Sequence, residues 1–185
     1  MIPRAQVYLA GPGVFRRDVA EFAATLKQIC RAHGLTPLWP MDNEIEAEAD
    51  KARQADHIRR ANEDMIRRAD AVVAEISPFR GPNMDPGTAY EIGFAAALGK
   101  PVFAWTADRR TLLERTADGG AHEEAGVIYD GADLAIEDFG LGENLMIATA
   151  VRHMFDSARE AIAACAEYLG GAWRAPVPGP GDAGR

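Results

Sequence analysis

The sequence predicts an α/β domain built on a doubly wound sheet of about five parallel strands with helices on both faces. Three observations carry the prediction. Strand-like and helix-like segments alternate about five times along the 185 residues. The strand-like runs "AQVYLAG", "AVVAEISPF" and "PVFAW" are apolar at successive positions, the pattern of strands buried on both faces. Gly or Pro stops most of the elements. The length suits a single domain over 1–170, followed by a Pro- and Gly-rich tail, 171–185, expected to be disordered.

In order, Ala5–Gly11 is the first buried strand. The helix after it, 16–34, repeats Val19, Phe22, Leu26, Ile29 and Cys30 at three- and four-residue steps and stops at Gly34. "LTPLWP" gives a short second strand. Residues 41–54 are polar and acidic, a loop with partial helix. A second helix over 55–70 sets Ile58, Met65 and Ile66 on one face. Ala71–Phe79 is the clearest strand, and "RGPNMDPG" is turn chemistry. The small-residue helix beyond it stops at Gly99, Lys100 and Pro101, and "PVFAW" follows. Residues 106–133 are weakly patterned, with a short helix in "DRRTLLERT". "LAIEDFG" is expected to be the fifth strand. Residues 143–170 are expected to form one long closing helix or a pair.

Composition excludes several functions. A net charge of −8 without a basic stripe is unsuited to gripping nucleic-acid phosphates. No stretch reaches the roughly 18 apolar residues of a membrane span. Two isolated cysteines, Cys30 and Cys165, read as buried hydrophobes of a chain in the reducing cytoplasm. The histidines make no metal-ligand spacing, so neither metal nor cofactor is expected. Gly11-x-Gly13 follows the first strand, but Arg16 stands where a dinucleotide fingerprint needs its third glycine. Those glycines let the backbone approach a small ligand or simply turn the chain. Neither a P-loop nor a GxSxG elbow occurs.

The carboxylates are more informative. Ligands of doubly wound sheets bind outside the carboxyl ends of the strands, which selects "AGPGVF", "WPMDN" and "SPFRGPNMD". Thr88-Ala-Tyr-Glu91 matches a capping box, in which Glu91 would serve the helix N-terminus. Asp85-Pro86, however, already offers an N-cap with Pro at the first helical position. Glu91 and Asp85 on one cleft wall, with Tyr8 ending strand 1, can instead divide nucleophilic and acid–base roles. The helix N-terminus is expected to favour an ionised carboxylate. Asp42 and Asn43 suit hydrogen bonding to the polar edge of a small ligand or an Asx turn. Phe15 and Trp39 are placed to flank a flat ligand, with core packing the favoured role for Trp39.

Together, "VYLAGPGVF", "SPFRGPNMDPGTAYEIGFAAALGKPVFAW" and "EDFGLGENLM" resemble the nucleoside 2-deoxyribosyltransferases, the trypanosomal-type branch most closely, over Val7–Met146. The resemblance implies a flavodoxin-like fold and transfer of 2-deoxyribose between a deoxynucleoside and a free nucleobase by retaining double displacement. It implies Glu91 as nucleophile, Asp85 on the sugar's 5′-hydroxyl and Tyr8 orienting Glu91. Asn144 would be lent to a neighbouring subunit's site, hence a dimer or hexamer. Asn62 stands where the lactobacillal branch has an aspartate implicated in protonating the base, so a ligand hydrogen bond is expected there instead. Gly11, Phe15, Asp42 and Asn43 complete the expected substrate contacts. Two alternatives are a hydrolase of 2′-deoxynucleoside 5′-monophosphates, with Arg16, Arg17 or Arg80 meeting the phosphate, and a non-catalytic nucleoside-binding domain.

Overall fold

The computed structural model describes residues 4–43 and 49–175. The chain runs β1 (Gln6–Ala10), α1 (Val19–Ala32), β2 (Thr36–Leu38), α2 (Lys51–Arg68), β3 (Ala71–Glu75), α3 (Pro86–Ala97) and β4 (Val102–Trp105). It continues through α4 (Leu112–Ala117), β5 (Ala121–Glu124), β6 (Val127–Asp130), α5 (Leu145–Ala148), β7 (His153–Phe155) and α6 (Ala158–Leu169). The main sheet has five parallel strands in the order β2-β1-β3-β4-β7. The chain winds from β1 outward to β2, then crosses to β3 on the other side of β1. The crevice at this reversal, beyond Ala10 and Glu75, is where such folds bind ligands.

Apolar residues at successive strand positions fill two cores. Val7, Leu9, Ala71, Val73 and Phe103 face α1 and α6. Tyr8, Ala10, Val72, Ala74 and Ala104 face α2 and α3. Both cysteines are free and buried in the first core. Helix α2 starts earlier than the sequence pattern implies, because the Asp50 side chain caps it at the amides of Ala52 and Arg53. Residues 44–48, the middle of the acidic stretch, lie outside the described residues.

The fifth strand differs from the expectation. Residues 134–140 form no strand, and Ala135 makes only an isolated bridge to Tyr129. The fifth position belongs to β7, inside the segment read as closing helices. Three residues are too few to show a strand period, and this strand is defined by its ladder to β4, with Phe103 opposite His153 and Trp105 opposite Phe155. The closing segment is thus a four-residue helix, a strand and α6. Residues 121–130 form an unexpected antiparallel hairpin. Its turn residues Ala125 and Gly126 both have positive φ, 51° and 83°, as a two-residue hairpin turn requires. Trp173 lies past the boundary at 170 and packs edge-on against Phe103 at 5.6 Å. Of the expected tail, 176–185 lie outside the described residues.

Candidate active site

Helix α3 carries the central carboxylates, and its first turn decides their roles. Asp85 is the N-cap, in extended conformation, with Pro86 at the first helical position. Its Oδ2 accepts from both the Thr88 amide and the Thr88 hydroxyl, each at 2.8 Å. Thr88 is therefore a capped residue, and the Thr88–Glu91 capping box is not formed. Glu91 sits in the second turn, where backbone amides already have intrahelical partners.

Instead, Glu91 meets strand β1. The fully buried Tyr8 donates its hydroxyl to Glu91 Oε1 at 2.5 Å. Burial pushes the Glu91 carboxyl up to about 7; the Tyr8 hydrogen bond opposes the shift and the Asp85 charge adds to it. The expected preference for the ionised form at the helix N-terminus is thus outweighed by desolvation. Burial, followed by the Glu91 charge, raises the Tyr8 phenol well above its ordinary range, so it remains a donor.

Glu91 lines a cavity of about 210 Å³ between α2 and α3, with Gly87, Tyr90, Ile58, Arg59, Asn62 and Glu63. Asn62 lines it and accepts from Asn43 Nδ2 at 3.4 Å. Asn43 also donates to Pro40 O at 3.1 Å, closing its turn. Asp42 does not join them; it pairs with Lys27 of α1 at 2.6 Å. Asp64 points away and pairs with Arg67 at 2.6 Å.

Sequence reasoning missed one wall of the cavity. Tyr90 donates to Glu63 Oε1 at 2.6 Å, and Arg59 and Arg67 flank the same carboxylate. These bonds, Tyr90 first, hold Glu63 below the usual carboxylate range. The spacing Arg59–Glu63–Arg67 was visible as helical ion pairs, but the bond to Tyr90 on another helix was not.

Beyond the strand ends, the loops after β1 and β3 meet. Phe15, 61% exposed, stacks on Phe79 at 5.5 Å. The Arg80 guanidinium lies over both rings, at 5.5 Å from Phe15 and 4.7 Å from Phe79. Trp39 is buried in the core against Phe22. Gly11 has φ 149°, and a Cβ there would sit 2.8 Å from Glu75 Cβ. Only glycine permits so close an approach of the chain leaving β1 to the end of β3. Asn144 caps α5, accepting from Met146 N at 3.0 Å, and donates to Glu137 at 2.6 Å. Among the described residues, no group of three His, Cys, Asp or Glu is arranged to hold a metal, and no helix is long and apolar enough to cross a membrane.

A doubly wound sheet that presents a tyrosine-held, half-buried carboxylate beside its switch point defines a flavodoxin-like fold with a carboxylate-centred site. The chain belongs to the nucleoside 2-deoxyribosyltransferase family, whose model matches residues 7–146. It is similar to a 2-deoxyribosyltransferase of Leishmania mexicana, 36% identical with a TM-score of 0.71, over 89% of this chain and 98% of that one. A 2-deoxyribosyltransferase of Bacillus psychrosaccharolyticus, 22% identical with a TM-score of 0.56, shares the fold over 85% of this chain and 90% of that one. An uncharacterized protein of Schizosaccharomyces pombe is 38% identical over 123 residues. That match takes in 62% of this chain and 58% of the yeast protein's length.

Proposed function

We propose that the chain transfers 2-deoxyribose between nucleobases, with Glu91 as the nucleophile. The observation that carries this reading is the Tyr8–Glu91 bond beside a cavity in a chain of this family. The bond occupies Oε1 and, among the described residues, no hydrogen bond holds Oε2, which is directed to C1′ of a deoxynucleoside. In the first displacement, Oε2 bonds to C1′ and the N-glycosidic bond breaks. Its electron pair leaves with the base, which takes up a proton. In the second, a ring nitrogen of another base attacks C1′, the ester bond breaks, and the carboxylate is regenerated as that nitrogen sheds its proton. Two inversions give overall retention.

Asp85 supports the sugar. Its Oδ2 is engaged by Thr88, and Oδ1 is offered to the 5′-hydroxyl. Asn62 and Asn43 hydrogen-bond the base, and Phe15 flanks it. Asn144 serves a neighbouring subunit's site within a dimer or hexamer, and the reaction belongs to cytoplasmic nucleoside salvage. Hydrolysis of 5′-monophosphates is less well supported. Arg16 is held by Asp18 through two bonds of 2.9 Å, and Arg80 lies on the aromatic pair.

The test is mass spectrometry after incubation with thymidine. A deoxyribosyl adduct on the peptide containing Glu91, with deoxyadenosine formed once adenine is added, is the expected result. Glu91→Ala should abolish both. Exchange and hydrolysis both missing with every deoxynucleoside would sink the proposal. Faster turnover of thymidine 5′-monophosphate than of thymidine would favour the hydrolase. Tight base binding without turnover, unaffected by Glu91→Gln, would favour a binding domain.

A further inference from the structure

Two charged side chains outside this site are almost fully buried. Arg115 and Glu143 are each 2% exposed and pair at 3.2 Å. A buried ion pair is a poor source of stability, because desolvating both charges offsets their attraction. Its value lies in what the two groups hold.

The Arg115 guanidinium donates from Nε to Pro82 O at 2.9 Å and from Nη1 to Arg110 O at 2.6 Å. Nη2 donates to Glu143 Oε2. The same Oε2 accepts from the Met84 amide at 3.3 Å, and Oε1 accepts from the Asn144 amide at 3.1 Å. The pair therefore joins the 82–84 turn, Arg110 just before the α4 cap, and the start of α5. These segments belong to no common ladder or helix. Arg115 is itself held one turn inside α4, whose start is fixed by the Thr111–Glu114 capping box. Met84 immediately precedes Asp85, and Asn144 immediately follows Glu143.

We infer that Arg115 and Glu143 are positioning residues that fix the Asp85 turn of this subunit's own site and, through the start of α5, the Asn144 that serves its neighbour's. The inference rests on the reading of the site above. The guanidinium fork suits the task, because it reaches two carbonyls and a carboxylate in one plane, which a lysine cannot do. The carboxylate suits it equally, because it accepts two backbone amides that an apolar residue would leave unpaired. A displacement of about 1 Å in a reacting constellation is enough to lower a rate roughly 100-fold.

The test measures kcat and KM for exchange between thymidine and adenine, well below each variant's melting temperature. Glu143→Gln and Arg115→Lys are compared alone and combined with Asp85→Asn. Each is expected to lower kcat/KM roughly tenfold or more, mainly through kcat. In the Asp85→Asn background the loss should shrink to within about twofold, since the positioned group is already altered. Should Glu143→Gln fail to fold, Arg115→Lys carries the test. Variants that melt earlier yet keep the wild-type kcat/KM overturn the inference and leave the site reading intact. So do losses that multiply in full with Asp85→Asn. Full exchange by Glu91→Ala overturns the site reading itself, and this inference with it.

Discussion

Tyr8→Phe isolates one hydrogen bond in a site otherwise unchanged. Tyr8 is completely buried, and its hydroxyl reaches Glu91 Oε1 at 2.5 Å. Phenylalanine fills nearly the same volume, so the backbone of β1 has no reason to move. The ionised carboxylate loses a charge-assisted bond worth about 1.5–3 kcal/mol, while the protonated form loses much less. At about 1.4 kcal/mol per pH unit, this lifts Glu91 by about one to two units from its value of about 7. At pH 7 the ionised fraction falls from about a half to between a tenth and a hundredth, and kcat/KM falls roughly 5- to 50-fold. The loss should be recovered toward pH 10. The assay is deoxyribosyl exchange from thymidine to adenine, followed by chromatography from about pH 5.5 to 10, with the acid limb of kcat/KM as readout. An acid limb that stays near the wild-type position, or a loss equal at every pH, would refute this reasoning.

Two further variants bear on the same carboxylate. Asp85→Asn removes the charge that raises Glu91, so the acid limb of its residual activity should move to lower pH, opposite to Tyr8→Phe; a shift to higher pH would contradict the assigned electrostatics. Glu91→Gln should abolish exchange yet stabilise the fold at neutral and alkaline pH. Because the folded value lies above 4.5, ionising Glu91 costs stability as pH rises from about 4.5 to about 7 and the cost is constant beyond. The shift caps the gain near 3 kcal/mol, and partial access of water reduces it to roughly 1–2 kcal/mol. Urea unfolding at pH 8 should show the gain and urea unfolding near pH 4 should not; equal stability at both would count against the assignment.

Much of the fold was legible because β1, β3 and β4 are buried on both faces and need apolar side chains at successive positions. Strand β7 was not, because an edge strand of three residues is specified by ladder bonds to β4 rather than by its own side chains. The hairpin was hidden for a related reason. "AHEE" has no strand character, and all four residues of β5 are exposed. The site divides in the same way. Asp85 and Glu91 share one helix, so their spacing was readable. The Tyr8–Glu91 bond joins residues 83 apart, and the Tyr90–Glu63 bond joins residues 27 apart. No local pattern encodes either contact; family resemblance pointed to Tyr8, and nothing pointed to Glu63.

The two T-x-x-E motifs of the chain show what separates a cap from a candidate nucleophile. At Thr111–Glu114 both reciprocal bonds form: the Thr111 amide donates to Glu114 at 2.7 Å and the Glu114 amide donates to Thr111 Oγ1 at 3.1 Å. Nothing upstream competes for that helix start. At Thr88–Glu91, Asp85 and Pro86 have already begun the helix one turn earlier, and Asp85 takes the Thr88 amide and hydroxyl for itself. Glu91 is thereby displaced into the second turn, where no amide awaits a partner. A carboxylate there adds nothing to capping, and its burial disfavours the charge. A half-buried carboxylate that weakens the fold and is gripped by a buried phenol is the pattern of a group retained for chemistry. The discriminating signal is thus the Asp-Pro pair before the motif rather than the motif itself.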